Sequence, residues 1–433
     1  MEQRRKNLTQ LFIPICLETL LYMLSGMVDT LMLSSVNDQA VGAVGTANTY
    51  IGIFIIMFSV ISSGMVAVMT QNIGAGRPGV AYQARQLGLA FNAVLGIIMS
   101  LFLSLGAGTI LSGVGVADAL MQPAKTYLQI VGGFCILNAL IPICSSYLRA
   151  FGFSKEPLYA SIIGNVINFC LNAFFLFVLH KGVAGVATAT VISRIINLVI
   201  VVLLGAVLVK AKQHPERESN RIGLPSACET AIYNVSMTLV IRFLNQMDAQ
   251  GLNVTARSYT MQITNFSYCV GAALAQANAI MTGWHIGAKE YDACDRGTRK
   301  AAIIGVIVAV ILETMFALCS GWIMQLFSKD PQMVSLVGKL LAIDIVLEMG
   351  RVTNLVYGQA LKTSGDAVFP VVMGACFMIL CSVGGTYLFG IRLGLLAVGA
   401  YIGMAGDECV RAVGMYLRWK SGKWKEKGLV KSR

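Results

Sequence analysis

A few ionisable and amide side chains stand inside long apolar runs of this chain, where they are costly and therefore candidates for function. Asp29 sits amid Met27, Val28, Leu31 and Met32. A carboxyl group in that setting could load and release a proton near physiological pH. The plainer alternative is a hydrogen-bonded structural Asp close to a membrane interface. Asn165, Asn168 and Asn172 recur at i, i+3 and i+7, which puts all three on one stripe of a helix. Their amide oxygens suit a hard cation such as sodium; the same amides could equally serve as glue between helices.

Glu18 and Glu229 each lie one turn beyond a proline, Pro14 and Pro225. That duplication suggests a shared structural task, such as bonding backbone groups freed near the prolines, or a contact with substrate or ion. Glu348 and Arg351 are spaced i, i+3 and could pair on one helix face, with Asp344 and Asn354 one turn away on either side. Asn165, Glu229, Asn234, Glu348, Arg351 and Asn354 are the candidates for substrate contact or gating. Glu313, Asp407 and Glu408 say less, and Arg411 could neutralise either of the last two.

Other chemistries find no footing. His180, His214 and His285 fall at the edges of apolar runs or in loops, so neither a nucleophile–base pair nor a metal cluster points to an enzyme. No cofactor is expected beyond a coupling proton or sodium ion. The Gly74-Ala75-Gly76 and Gly287-Ala288 stretches lack the spacing and the Lys-Ser/Thr ending of a phosphate loop, so they read as tight turns and nucleotide binding is not expected. The eleven cysteines form no C-x-x-C pair and read as small, buried, reduced hydrophobes.

The elements that must position these residues follow from composition. The chain has 433 residues, 56% hydrophobic and 12% charged, against about 25% charged in a typical soluble domain. It is predicted to be an all-α polytopic membrane protein. A sliding hydropathy window marks twelve spans, near 8–34, 46–71, 87–112, 122–148, 157–179, 184–209, 222–248, 258–284, 300–327, 332–360, 367–389 and 394–418. Most of the 33 Lys and Arg fall on one side of these spans, including Arg77, Arg85, Arg149, Lys155 and the tail beyond Arg418. That side is expected to be cytoplasmic, with both termini inside. The net charge of +12 thus reads as topology and attraction to anionic lipid, and nucleic acid is not an expected partner.

The chain is also written twice. Pro14, Glu18, Thr19 and Tyr22 recur as Pro225, Glu229, Thr230 and Tyr233, an offset of 211. Ile73-Gly74-Ala75 recurs as Ile286-Gly287-Ala288, and Leu148-Arg149 with Gly152 and Pro157 recurs as Leu361-Lys362 with Gly365 and Pro370, both at 213. Gly185 answers to Gly399 at 214. The expected domains are an N-lobe at 1–209, a cytoplasmic linker at 210–221 and a C-lobe at 222–433. Six spans per lobe is even, so the lobes should be parallel repeats about a pseudo-two-fold axis along the membrane normal, a transporter design. A channel would call for a re-entrant filter or rings of charge.

These residues resemble the multidrug and toxic compound extrusion (MATE) transporters along nearly the whole chain. The likeness runs through Ile13-Pro14 with Val28-Asp29-Thr30, Gln71-Asn72-Ile73-Gly74-Ala75-Gly76, Gly164-Asn165-Val-Ile-Asn168 and Gly182-Val-Ala-Gly185 to Thr190. It continues in Gly223-Leu224-Pro225, Gly287-Ala288 and Gly365-Asp366 to Phe369-Pro370. Val28-Asp29-Thr30 looks most like the DNA-damage-inducible branch. The resemblance implies an antiporter in a bacterial inner membrane, acting as a monomer and exporting organic, often cationic, compounds for protons or sodium. It also implies an ion-coupling group of Asp29, Asn168, Asn172 and Thr190. Asn172 stands where the family commonly has Asp, which removes a charge and weakens a sodium site. The alternative is a flippase for a lipid-linked oligosaccharide. Its cationic cavity would have to draw on Arg194, Arg242, Lys339, Arg351 and Arg411.

Overall fold

The computed structural model describes residues 6–34, 38–113, 116, 118–209, 236–237, 239–244, 247, 252–325 and 330–430. Every expected span except 222–248 is helical over most of its length; 222–248, with Glu229 and Asn234, lies largely outside the described residues, as does the 210–221 linker. The chain divides into two compact units, Met1–Ile73 with Arg77–Ser219, and Asn220–Arg433 with Gly74–Gly76.

In the first unit the helices are α1 (Leu8–Ser34), α2 (Asp38–Gly74), α3 (Pro78–Leu105), α4 (Ala107–Gly113), α5 (Asp118–Tyr127), α6 (Ile136–Ala150), α7 (Lys155–Ala173) and α8 (Gly182–Leu208). A π-helical turn extends α5 over Leu128–Gly132, and another extends α7 over Phe174–Val178. The expected fourth span is bent by 42° where Leu120–Gly132 meets Ile136–Ala150. Leu33, Phe58, Leu103, Leu128 and Leu176 lie in one buried cluster.

The second unit contains α9 (Leu252–Gly287), α10 (Tyr291–Leu318), α11 (Ser320–Met324), α12 (Pro331–Thr363), α13 (Val368–Phe377) and α14 (Leu396–Lys420). Two π-helical segments, Met378–Val383 and Thr386–Arg392, follow α13. Its core gathers Ile263, Leu340, Leu347, Tyr401 and Met404. Both units turn broad apolar faces outward, with Leu105 and Leu318 each 82% exposed. Among the described residues six helices are long and apolar enough to cross a bilayer unaided, and such faces are what lipid covers.

Two helices start well before the hydropathy window places them, α3 at Pro78 and α10 at Tyr291, and α9 is already helical at Leu252. A helix need not stop where its apolar stretch does, because its own backbone bonds continue into water. Start signals mark the beginnings of α3 and α12. Pro78 and Pro331 occupy first-turn positions, and the Asp330 side chain caps α12 by accepting from Gln332 N at 2.9 Å. Gly76 takes a left-handed φ of 75° in the turn between α2 and α3, which favours glycine.

Close helix approach sets the second unit's polar geometry. A Cβ on Gly350 would lie 2.8 Å from the Cys409 backbone nitrogen, so α12 and α14 nearly touch there. A Cβ on Gly385 would come within 2.7 Å of the Gly403 Cα. Because Gly350 keeps the two backbones together, Glu348 and Arg351 on α12 come within reach of Glu408 on α14.

On the side expected to be cytoplasmic, the residues after α14 fold back. Asp366, in the turn between α12 and α13, accepts from Arg418 Nε and Lys427 Nζ, both at 2.7 Å. Trp419 donates to Asp295 at 2.8 Å and stacks on Trp424 at 4.1 Å. Burial pushes the Asp366 carboxyl up, but the bonds from Arg418 and Lys427 outweigh it and hold the group below the ordinary Asp value. A carboxyl depressed in the folded state contributes stability above its unfolded value, and that contribution is lost as pH falls through the folded value. Asp366→Asn is therefore expected to lower the Tm at neutral pH, with the deficit shrinking on acidification. A deficit that widened as pH fell would contradict this.

Candidate functional site

In the first unit, α1 and α7 bring Asp29 and two of the asparagines together. Asn172 Nδ2 donates to Asp29 Oδ1 at 2.5 Å and lies 3.3 Å from Asn168 Oδ1. Asn168 and Asn172 are buried. Arg194 on α8 adds a positive charge whose field reaches Asp29. The Asn172 Oδ1 is buried without a hydrogen-bond partner. The arrangement therefore points an NH2 group, not an oxygen, at the Asp29 carboxylate. Turning that amide over would set oxygen against oxygen, which holds only with a proton or cation between them.

The other members of that stripe and group do different things. Asn165 donates to the Leu21 carbonyl of α1 at 3.3 Å, which ties the two helices together. Thr190 is buried on α8, and its hydroxyl donates to its own helix at Val186 O, 2.9 Å away.

Glu18 does not serve the backbone near Pro14. It is ion-paired to Arg149 Nη2 of α6 at 2.5 Å. Proline at 14 lacks the N–H that would bond to the Gln10 carbonyl, and the Ser154 hydroxyl takes that role, donating to Gln10 O at 3.0 Å.

In the second unit the expected Glu348–Arg351 pair forms within α12. Arg351 Nε also reaches Glu408 Oε1 of α14 at 3.4 Å, and Asn354 donates to Glu408 Oε2 at 3.0 Å. Arg411 pairs with both neighbours, donating to Asp407 at 2.9 and 3.0 Å and lying 2.8 Å from Glu408. Ser382 completes Asp407 at 2.9 Å. Sequence reasoning gave Asp407 and Glu408 little weight beyond the expectation that Arg411 could neutralise either; Arg411 pairs with both, and all three belong to this network. The signal was available: Asp-Glu-x-x-Arg inside an apolar span places opposite charges at i+3 and i+4. Glu313 on α10 was also passed over. It is fully buried, and its charge acts on the same cluster as Asp344 and Glu348.

A cavity of about 230 Å³ opens beside the network, lined by residues of α9, α12 and α14 with Met237 and Ser382. Arg257, which the hydropathy reading left outside the membrane, is buried on α9 and lines it. The cysteines are more varied than expected: Cys135, Cys144, Cys269 and Cys294 are buried, whereas Cys170, Cys319 and Cys376 face outward.

Long apolar helices in two compact units, each with carboxyl and amide groups buried between helices, define a polytopic membrane transporter. The MatE family model matches residues 14–174 and 225–388, and the chain belongs to that family. An uncharacterized transporter, YisQ, of Bacillus subtilis (strain 168) is 34% identical, aligned over 96% of this chain and 94% of its own. A probable multidrug resistance protein NorM of Thermotoga maritima is 24% identical, over 98% and 94%. A crystal structure of MATE in the bent conformation superposes with a TM-score of 0.87 at 18% identity, covering 97% of this chain and 96% of that one. The fold is accordingly the all-α, twelve-helix, two-lobe MATE fold.

Proposed function

We propose that the protein is an ion-coupled antiporter that exports small organic compounds, cationic or amphipathic, across a bacterial cytoplasmic membrane by alternating access. It works as a monomer with both termini in the cytoplasm and without nucleotide or cofactor. The observation that carries this reading is the Asp29–Asn172–Asn168 cluster, bonded across two helices inside the apolar first unit.

The coupling step follows from donor and acceptor chemistry. An ionised Asp29 accepts the Asn172 NH2; a protonated one carries a donor of its own and no longer needs it. Loading a proton therefore favours one packing of α1 against α7 over another. A ligand shifts such an equilibrium only by its differential affinity for the two states. With NH2 at its centre and the Thr190 hydroxyl turned to Val186, the group suits a proton better than sodium, whose site needs several converging oxygens. Asn172 in place of Asp points the same way.

The flippase alternative requires a cluster of free positive charges, whereas Arg194 acts on Asp29 and only Arg257 among the described cavity residues is a cation without a carboxylate partner. Arg351 and Arg411 are both tied to carboxylates, and Arg242 and Lys339 are exposed. Proteoliposomes given a cationic dye under separately imposed pH and sodium gradients test the proposal. Dye movement driven by the pH gradient is expected. Indifference to both gradients would sink the antiporter reading.

A further inference from the structure

The cavity of the second unit holds two opposite charges that do not satisfy each other. Arg257 on α9 is 7% exposed, in a span where an unpaired guanidinium is expensive. Among the described residues its one hydrogen bond runs from Nη2 to the Met237 sulfur at 3.9 Å, a weak acceptor. Its buried Nε has no hydrogen-bond partner among the described residues. Asp344 on α12 is 2% exposed, and its Oδ2 likewise has no partner. Every other charge on the cavity wall is occupied. Asp407 is held by Ser382 and Arg411, and Glu408 by Arg351, Asn354 and Arg411.

Helix register places the two groups relative to each other along the cavity. α9, α10 and α12 cross in turn, so α9 and α12 run in the same direction. Arg351 of α12 lies over the Tyr268 ring of α9 at 5.9 Å, which sets residue 351 level with 268. Asp344 is then level with Met261, so along the helix axes its Cα lies about one turn, about 6 Å at 1.5 Å per residue, from that of Arg257. Tyr268, Tyr401, Met261 and Met404 supply apolar and aromatic wall around them. A volume of about 230 Å³ falls below the roughly 300–1,000 Å³ of pockets that take drug-sized ligands.

We infer that this cavity is a binding subsite for a small zwitterion, with its carboxylate on Arg257 and its ammonium on Asp344, the two joined by a short chain. The inference rests on the transporter reading and narrows it: this subsite selects molecules that carry an anionic group as well as a cationic one. The carboxylate meets the planar donors of Arg257, the geometry that favours paired hydrogen bonds. A ligand with only the amine would leave Arg257 buried and unpaired, and a ligand with only the acid would leave Asp344 so.

The test is calorimetric titration of the full chain, purified in detergent, with β-alanine, 4-aminobutanoate and 5-aminopentanoate. Each is paired with the alkylamine and the carboxylate of the same length. At least one zwitterion is expected to bind about tenfold or more tighter than both of its singly charged analogues, since leaving a buried polar partner unpaired costs at least that factor. In Arg257→Gln that zwitterion should bind no better than its amine, and Arg257→Lys should recover part of the preference. An amine that bound the native chain as tightly as the best zwitterion would overturn the inference, without any appeal to a variant. So would native affinity in a folded Arg257→Gln protein. Gradient-driven dye export in liposomes separates the two ideas. Export without any zwitterion preference defeats this subsite alone, whereas zwitterion binding without export defeats the antiporter reading.

Discussion

Asp29→Asn is expected to abolish proton-driven export while leaving the protein folded in the membrane. The substitution keeps the size of the side chain and an oxygen able to accept the Asn172 NH2, so the 2.5 Å contact between α1 and α7 can persist. What disappears is the ability to change between acceptor-only and donor forms, and with it any differential affinity of the two packings for a proton. The effect should thus be near-total on pH-driven dye movement and slight on thermal unfolding. Asn165→Ala makes a useful contrast, because that amide bonds the Leu21 carbonyl and its loss should cost stability with export still responsive to pH. Gradient-dependent export at the native rate by Asp29→Asn would remove Asp29 from the mechanism.

Arg351→Met is expected to lower stability more than any other single change in the second unit's network. Glu348 is fully buried, its Oε2 has no partner, and its other oxygen relies on Arg351. Removing one member of a buried ion pair costs about 3–5 kcal/mol, because the remaining charge is stranded. Arg351 is itself about a quarter exposed, so the lower end, about 3 kcal/mol, is the appropriate expectation. Glu408 would lose one contact but keep Arg411 and Asn354. The double variant Glu348→Gln with Arg351→Met should recover most of the loss, since no uncompensated charge remains. Thermal unfolding in detergent at a fixed scan rate checks both. An Arg351→Met protein as stable as the native chain, or a double variant worse than the single, would show that the pair does not hold this region together.

The helices and their repeat were legible in the sequence because burial in lipid imposes a hydropathy signal that needs no partner to be read. Side-chain partnerships between helices were not, because they depend on how each helix is rotated. Glu18 and Arg149 are 131 positions apart, and nothing in either span says that they face each other. The Asn168–Asn172 stripe was visible as a spacing, yet only the structure separates Asn165, bonded to a neighbouring backbone, from Asn172, bonded to Asp29. Arg257 was misplaced for a related reason. Hydropathy locates the apolar part of a helix, and α9 is already helical at Leu252, carrying Arg257 inside. Gly350 illustrates a third kind of silence: its lack of a side chain matters only because Cys409 lies against it.

The wide π turns after α7 and α13 bear on how the two halves diverged. Pro157 and Gly185 are 28 positions apart, and their counterparts Pro370 and Gly399 are 29. Between the first pair there is one π segment, Phe174–Val178; between the second there are two, Met378–Val383 and Thr386–Arg392. An inserted residue would turn everything beyond it in an α-helix by about 100°, changing the face that Phe389, at the end of that helix, presents to Gly399 on α14. A π turn takes up that extra residue locally. The additional π turn thus accounts for the one-residue difference in spacing between the two halves, taken up inside the helix so that Phe389 still meets Gly399.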